Sequence, residues 1–317
     1  MKLLVTRPMT KAAEAAIAER FETRFRDTNV PMTEAEAATA LAEYDLIMPT
    51  LGDAFRAGAF QAAKPRTRLL ANFGAGYNHI DLDAARAAGV AVTNTPNVVT
   101  ASTAELAVTL LLMTARRAGE GERLARSGTW TGWHPTQMLG APVTGQKLGI
   151  VGMGRIGQSI ARTLHRGFDM EVVFFNRSTV SGLDFPARQL GTVAELMREA
   201  DFVVIAVPGG AGTHHLIDAA ALEALGPEGI VVNIARGDVI DQQALIAALS
   251  TGKIRAAGLD VFEFEPEIAE ALRSLDNAVL LPHLGTAVEA TRTEMALRAL
   301  DNLIAFTEGR TPTDLVA

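Results

Sequence analysis

The sequence contains no cysteine. That excludes disulfides, thiolate chemistry and any zinc site built on Cys ligands. It also lacks a surplus of positive charge. The formal net charge is −7, which argues against general nucleic-acid binding, because phosphates must be met by a basic face. One small cationic pocket stays compatible with that balance. No run approaches the ~18–20 consecutive apolar residues that a membrane-spanning helix needs. The opening "MKLLVTRPMT" has too short an apolar run for a signal peptide and meets Pro8 at once. By default, then, the chain reads as cytoplasmic. Internal repeats and low-complexity segments are missing as well.

What is present is an ordinary globular composition, 48% hydrophobic and 21% charged over 317 residues, long enough for two domains with cores of their own. Short β-type runs alternate with Ala-rich helical stretches. The early runs are Lys2–Thr6, Glu22–Asp27, Leu46–Thr50, Arg68–Gly74 and Ala91–Pro96. Between them lie segments such as "TKAAEAAIAERF", with Thr10 placed to cap a helix. The later runs are Lys147–Gly152, Glu171–Asn176, Phe202–Val207, Ile230–Ala235, Ala256–Val261 and Ala278–Pro282. These are continuously apolar, as strands are when helices cover both faces of a parallel sheet. The pattern predicts an α/β protein of two doubly wound parallel-sheet domains. The run Thr100–Arg117 is apolar on most faces and predicts a buried helix bridging the two. The turn-rich stretch from Arg116 to Gly145 predicts an extended arm.

"KLGIVGMGRIGQSIARTL" is a strand, then Gly152-x-Gly154-x-x-Gly157, then a helix. A lone Gly-x-Gly-x-x-Gly is weak evidence, but here it stands in the required context. The glycines allow a tight turn and close approach of a pyrophosphate, and the helix N-terminus supplies N–H donors. An acid that grips the ribose hydroxyls is expected about 20 residues past the loop, at the end of the second strand. Asn176 falls there, followed by Arg177 and Ser178. Asn removes the repulsion an acid would exert on a 2′-phosphate, and Arg offers a planar fork of donors to it. The pattern therefore predicts NADP(H) as the preferred coenzyme. NAD(H) stays possible if Arg177 is only a solvated residue stacking on adenine.

Three more ionisable residues each follow a strand. These are Arg236 in "NIARGDVID", Glu265 five residues after Asp260 in "GLDVFEFEP", and His283 in "LLPHLGT". Ligands and catalysts in open α/β sheets gather at the carboxyl ends of strands. A 2-oxo acid needs a cation for its carboxylate, and Arg236 can supply it. The oxyanion that grows as C2 is reduced needs a proton donor, for which His283 is the candidate. A carboxylate bonded to that ring fixes it and favours the imidazolium, which gives Glu265 a role. The pair His214-His215 has no acid or Cys cluster near it in sequence, so no metal is expected there.

Nearly the whole chain resembles the D-2-hydroxyacid dehydrogenases. The resemblance rests on "NFGAGYNHIDLDAARAAGVAVTNTPNVVTASTAELAV", "GMGRIG", "NIARGDVIDQQAL", "GLDVFEFEP" and "LPHLGTA". It implies a flavodoxin-like substrate domain split between the chain ends, residues 1–98 and 287–317, and a Rossmann coenzyme domain, residues 99–286. It implies a homodimer formed through the coenzyme domains, with no nucleic-acid or membrane partner. Arg236, Glu265 and His283 match the family's Arg–Glu–His set, and Asp260 matches the residue that holds the nicotinamide carboxamide. Coenzyme contacts are implied at Thr103, at Gly152, Gly154, Arg155, Ile156 and Gly157 of the loop, and at Asn176, Arg177 and Ser178. Further contacts fall at Val207, Pro208 and Thr213, at Ile234 and Ala235, and at Gly285. The substrate would meet Leu51, the turn Gly74-Ala75-Gly76, Arg236, His283 and Trp133. Tyr77 and the arm would add to the pocket wall.

Within the family, "GTWTGWHP" resembles the arm of glyoxylate/hydroxypyruvate reductases, where a Trp matching Trp133 can reach the partner subunit's active site. The other place for Trp133 is the dimer seam. The chain ends soon after His283, which leaves no room for the C-terminal regulatory domain of many phosphoglycerate dehydrogenases. Formate dehydrogenases set a Gln beside the His, and the matching segment has none. The expected activity is NADPH-linked reduction of small 2-oxo acids such as glyoxylate and hydroxypyruvate. The alternatives are an NAD-linked dehydrogenase of another 2-hydroxy acid and, from a different class, a non-catalytic nucleotide-sensing co-repressor.

Overall fold

The computed structural model describes every residue except Ala63. It divides into two compact units, residues 1–99 with 286–317, and residues 100–285.

The first unit holds β1 (Lys2–Val5), β2 (Glu22–Phe25), β3 (Leu46–Met48), β4 (Leu69–Ala71) and β5 (Ala91–Thr93) in one sheet of order β2-β1-β3-β4-β5. All pairs are parallel, in the flavodoxin-like order. Successive strand residues point to opposite faces, and here both faces are covered. Leu3, Val5, Leu46, Met48 and Leu69 pack with Ile17, Ala299, Leu300 and Leu303. Leu4, Ile47, Leu70 and Val92 pack with Leu41, Ala59, Phe60 and Ala85 on the other side. Each such aliphatic side chain taken fully out of water contributes about 1.5–3 kcal/mol. This two-sided burial is why the inner strands read as unbroken apolar runs, while the edge strand β2 does not.

The second unit opens with α5 (Thr100–Ala115), after the helices of the first unit, α1 (Lys11–Ala18), α2 (Glu34–Glu43), α3 (Ala57–Ala62) and α4 (Leu82–Ala87). It continues through α6 (Ala118–Ser127), β6 (Lys147–Val151), α7 (Arg155–Phe168), β7 (Glu171–Phe175), β8 (Ala187–Leu190), α8 (Val193–Glu199) and β9 (Phe202–Ile205). Then come α9 (Ala219–Leu225), β10 (Ile230–Asn233), α10 (Gln242–Ser250), β11 (Ala256–Leu259), α11 (Glu270–Arg273) and β12 (Ala278–Leu280). The last helix, α12 (Glu289–Thr307), belongs to the first unit. The sheet order is β12-β11-β10-β9-β6-β7-β8, all parallel. From β6 the chain winds to one side through β7 and β8, then to the other from β9 onward. The carboxyl ends of β6 and β9 therefore form the switch point at which doubly wound sheets bind ligands.

Both units are doubly wound α/β sheets, as the strand pattern predicts. Four local expectations change. Thr10 precedes α1 but does not cap it, because its hydroxyl is bonded at 2.7 Å to that of Thr293. The buried helix ends at Ala115, since Arg117 takes a left-handed conformation, φ 53°. The stretch expected to be an extended arm begins with α6, a helix with no buried residue; only the part beyond Gly128 is free of helix, and it too makes a turn at 135–138. The strand β8 is an addition to the expected set; like the edge strand β2 it has only part-buried and exposed residues, so it lacks the apolar run that marks the inner strands.

Candidate active site

In the second unit, the expected functional residues fall at the carboxyl ends of β6, β7, β9, β10, β11 and β12, except Thr103 in α5 and Trp133 in the segment after α6. Gly152 follows β6 with φ 101°, a conformation that L side chains rarely adopt, and an added Cβ would lie 2.7 Å from the Ala206 oxygen. A Cβ on Gly157 would lie 2.1 Å from the Gly152 oxygen. At Gly154, the residue before α7, the corresponding space is empty. Only glycine makes the first turn of α7 pack this closely on the loop. The N-terminus of α7, with its partial positive charge, opens on the vacant side, beside Arg155 and Ile156. The residues present thus fit a dinucleotide pyrophosphate.

The end of β7 lies beside this loop, because the Gly152 N–H bonds the Phe175 oxygen at 2.9 Å. Asn176 follows immediately and donates to the Ser178 carbonyl (3.0 Å) and hydroxyl (3.2 Å). Gln189 of β8 clips the same turn, bonding the Asn176 and Ser178 oxygens. Arg177 is exposed and forms no ion pair among the described residues. The acids in this part of the sequence lie elsewhere. Glu171 is at the amino end of β7, 3.8 Å from Lys147. The turn therefore presents a free guanidinium and a hydroxyl, and no carboxylate.

Arg236, Glu265 and His283 come from three different strand ends and form one electrostatic group. His283 Nδ1 is 2.8 Å from Glu265 Oε2, while the other carboxylate oxygen accepts the Phe262 N–H at 3.0 Å. With Nδ1 turned to the carboxylate, Nε2 is left for a substrate. Burial raises the Glu265 pKa, but the hydrogen bond and charge of His283, the Phe262 N–H and the charge of Arg236 outweigh it and hold the group below its ordinary value. Arg236 lies largely inside the protein. Its Nη1 donates to the Ala235 carbonyl at 2.6 Å, and its buried Nε has no partner among the described residues. Burial pushes the guanidinium down from its usual range, with Glu265 and Asp238 opposing. A desolvated cation with an unspent donor is an anion site in waiting.

His283 is held in a left-handed conformation, φ 55°. Its N–H bonds the carbonyls of Asp260 (2.9 Å) and Leu281 (3.0 Å). The next two N–H groups, of Leu284 and Gly285, bond the two oxygens of the buried Asp260 carboxylate at 2.7 and 2.9 Å. Burial raises the Asp260 pKa, against the pull of these N–H groups and of His283. Asp260 is thus the clamp that sets the His283 turn, a role that spacing alone does not reveal. Thr103 of α5 lies beside Gly285. Ile234 and Ala235 are buried just after β10. Val207 packs near Gly152, and the Thr213 hydroxyl ties the loop back to the carbonyls of Pro208 and Gly210.

The sequence sets no cluster of acids near His214-His215, but the fold brings one acid, Glu263, to the pair. The two rings stack with centroids 3.9 Å apart, and His215 Nε2 lies 2.9 Å from Glu263 Oε1. The three side chains bring ligating atoms within 4.8 Å of one another. That bond to Glu263, with the charges of Glu263, Asp241 and Asp238, outweighs burial and raises the His215 pKa. Trp133 is 78% exposed and Trp130 54%. In the first unit, Leu51 follows β3 and is half-buried, and the turn Gly74-Ala75-Gly76 follows β4.

Residues 108–285 match the family described as D-isomer specific 2-hydroxyacid dehydrogenase, NAD binding domain. The chain is 41% identical to a glyoxylate reductase of Thermococcus onnurineus, over 99% of this chain and 95% of that one. It is similar to the solved TT0316 protein of Thermus thermophilus, with TM-score 0.92 and 38% identity over the whole of both chains. It is also similar to an NADPH-dependent glyoxylate/hydroxypyruvate reductase from Sinorhizobium meliloti, solved with NADP and malonate. There the TM-score is 0.88 and the identity 34%, covering 100% of this chain and 96% of that one.

Proposed function

The chain belongs to the D-isomer specific 2-hydroxyacid dehydrogenase family, and from that premise we propose that it uses NADPH to reduce small 2-oxo acids, glyoxylate and hydroxypyruvate foremost. The carrying observation is Arg236, part-buried with an unspent Nε donor, in electrostatic contact with the His283–Glu265 pair. One anion and one developing oxyanion need these three groups together.

Bound NADPH supplies the hydride that reduces C2. Arg236 binds and orients the substrate carboxylate. His283, steadied by Glu265, donates from Nε2 the proton that the carbonyl oxygen takes up. Glu265 stays ionised and compensates the charge of the protonated ring. The Gly152-x-Gly154-x-x-Gly157 turn and the start of α7, with Arg155 and Ile156, hold the pyrophosphate. Thr103, Val207, Pro208, Thr213, Ile234, Ala235, Asp260 and Gly285 surround the nicotinamide half. In the first unit, Leu51 and the N–H groups of Ala75 and Gly76 serve the substrate.

Arg177 and Ser178 take the 2′-phosphate, with Asn176 in place of a repelling acid. Support comes from the free, exposed guanidinium at the end of β7. The relative from Sinorhizobium meliloti, described as NADPH-dependent, supports the same choice. Replacing Arg177 with Ala tests it. KM for NADPH should rise about 10- to 150-fold, as for a lost hydrogen bond to a charged group, and KM for NADH should barely change. An equal rise for both coenzymes would remove Arg177 from phosphate recognition.

A further inference from the structure

We propose that Asn72 and Asn94 are positioning residues that turn three backbone N–H groups, those of Ala75, Gly76 and Tyr77, outward as one carboxylate-binding nest. This rests on the reading of that turn as the substrate's, and it adds a third donor and the two side chains that build the nest.

The observation is that three consecutive carbonyls are all pinned on one side. The amide nitrogen of Asn72 donates to the Gly74 oxygen at 3.0 Å and the Gly76 oxygen at 3.1 Å. The amide nitrogen of Asn94 donates to the Ala75 oxygen between them at 2.8 Å. The Thr95 N–H adds a second bond to the Gly74 oxygen at 3.0 Å. A trans peptide is planar, so each carbonyl and the N–H that follows it point in opposite directions. Holding the oxygens of Gly74, Ala75 and Gly76 therefore sends the N–H groups of Ala75, Gly76 and Tyr77 the other way. None of the three has a partner among the described residues. Successive backbone N–H groups aimed into one space make an anion-binding concavity.

The side chains doing this are fixed by the fold. Asn72 is the first residue past β4 and is fully buried, and Asn94 is the first past β5. The Asn72 amide has one workable orientation. Its own oxygen is buried without a partner, and reversing the group would set that oxygen against two carbonyls. A buried acceptor left unsatisfied costs stability. Here it accompanies a donor that serves two carbonyls at once.

The test uses the full chain saturated with NADPH, glyoxylate as substrate and oxamate as a non-reacting carboxylate probe. Asn72→Ala and Asn94→Ala should raise KM for glyoxylate and the inhibition constant of oxamate by about tenfold, the loss expected when hydrogen bonds to a charged group are misaligned. kcat should change less than threefold, and NADPH affinity should not change. Asn72→Asp, which sets an oxygen where the donor was, should exceed both. In the unmodified protein, oxamate should shift the amide resonances of Ala75, Gly76 and Tyr77 together. If the three amides shift but both alanine variants keep the parent KM, the positioning role is wrong. If oxamate binds and none of the amides shifts, the turn is not the carboxylate site and the reading beneath falls too. Should Asn72→Ala not fold, Asn94→Ala, which leaves the other two carbonyls pinned, decides the matter.

Discussion

At the scale of single residues, the proposed proton transfer depends on His283 and the groups that hold it. His283→Asn removes the proton donor while leaving a side chain of similar shape. kcat should fall about 10²-fold or more, in line with the loss of general acid catalysis, with coenzyme affinity little changed. A variant with near-parental kcat at neutral pH would take His283 out of the reaction. Glu265 carries the pH dependence. Its folded pKa lies below its ordinary value, so its ionised form stabilises the fold above that ordinary value. The contribution is lost as pH falls through the depressed one. Thermal unfolding followed across the acid range should thus show Glu265→Gln losing the part of the parent's acid sensitivity that lies in this window. Identical acid profiles for the two proteins would contradict the assignment. The identities of Arg236, Glu265 and His283 are legible because each follows an apolar strand in a recognisable motif. The Asp260 clamp and the His215–Glu263 contact are not legible, since they join residues 24 and 48 positions apart through folding.

At the scale of elements, the glycines of the phosphate loop differ in their reasons. An added Cβ at Gly157 meets the Gly152 backbone, whereas at Gly167, farther along α7, it meets nothing within 4 Å. Gly157→Ala should cost about 1–3 kcal/mol of stability by overpacking and weaken coenzyme binding more than tenfold. Gly167→Ala, in the last turn of α7, should instead stabilise by up to about 0.5 kcal/mol, less than the gain for Ala over Gly in a helix interior. Denaturant midpoints and coenzyme titrations measure both, and equal responses of the two variants would undo the distinction. The inner strands are readable for a physical reason: both sheets are buried on both faces, so no polar alternation interrupts their runs. Their ends read too long, because buried residues such as Asn72 and Thr95 extend the core beyond the last paired residue. β8 and α6 have no buried residue to mark them; β2 has none either, and only its alternation of exposed and part-buried residues makes it legible.

At the scale of the whole molecule, composition limits more than it specifies. A chain of net charge −7 that handles anionic ligands must do so through local cations, here Arg236 and Arg177. The preference for NADPH should accordingly weaken as salt rises, because Arg177 is exposed and screening acts there. The second unit also carries Trp130, Trp133 and Leu139 on its surface, next to a helix with nothing buried. Such exposed apolar groups mark an interaction face, and a second copy of this chain is the expected occupant. Sedimentation at micromolar concentration should give a dimer, and replacing all three residues with Ser should give a folded monomer. A monomeric parent protein would leave that face without its partner.

The most direct test of the central claim is kcat/KM for glyoxylate and hydroxypyruvate, each with NADPH and with NADH, at one pH and low salt. Both acids should be turned over with NADPH, and NADPH should exceed NADH by about tenfold or more, the discrimination expected of one charged contact to phosphate. Equal values for the two coenzymes would reduce Asn176-Arg177-Ser178 to a plain turn. No turnover of either acid with either coenzyme would contradict the reductase itself.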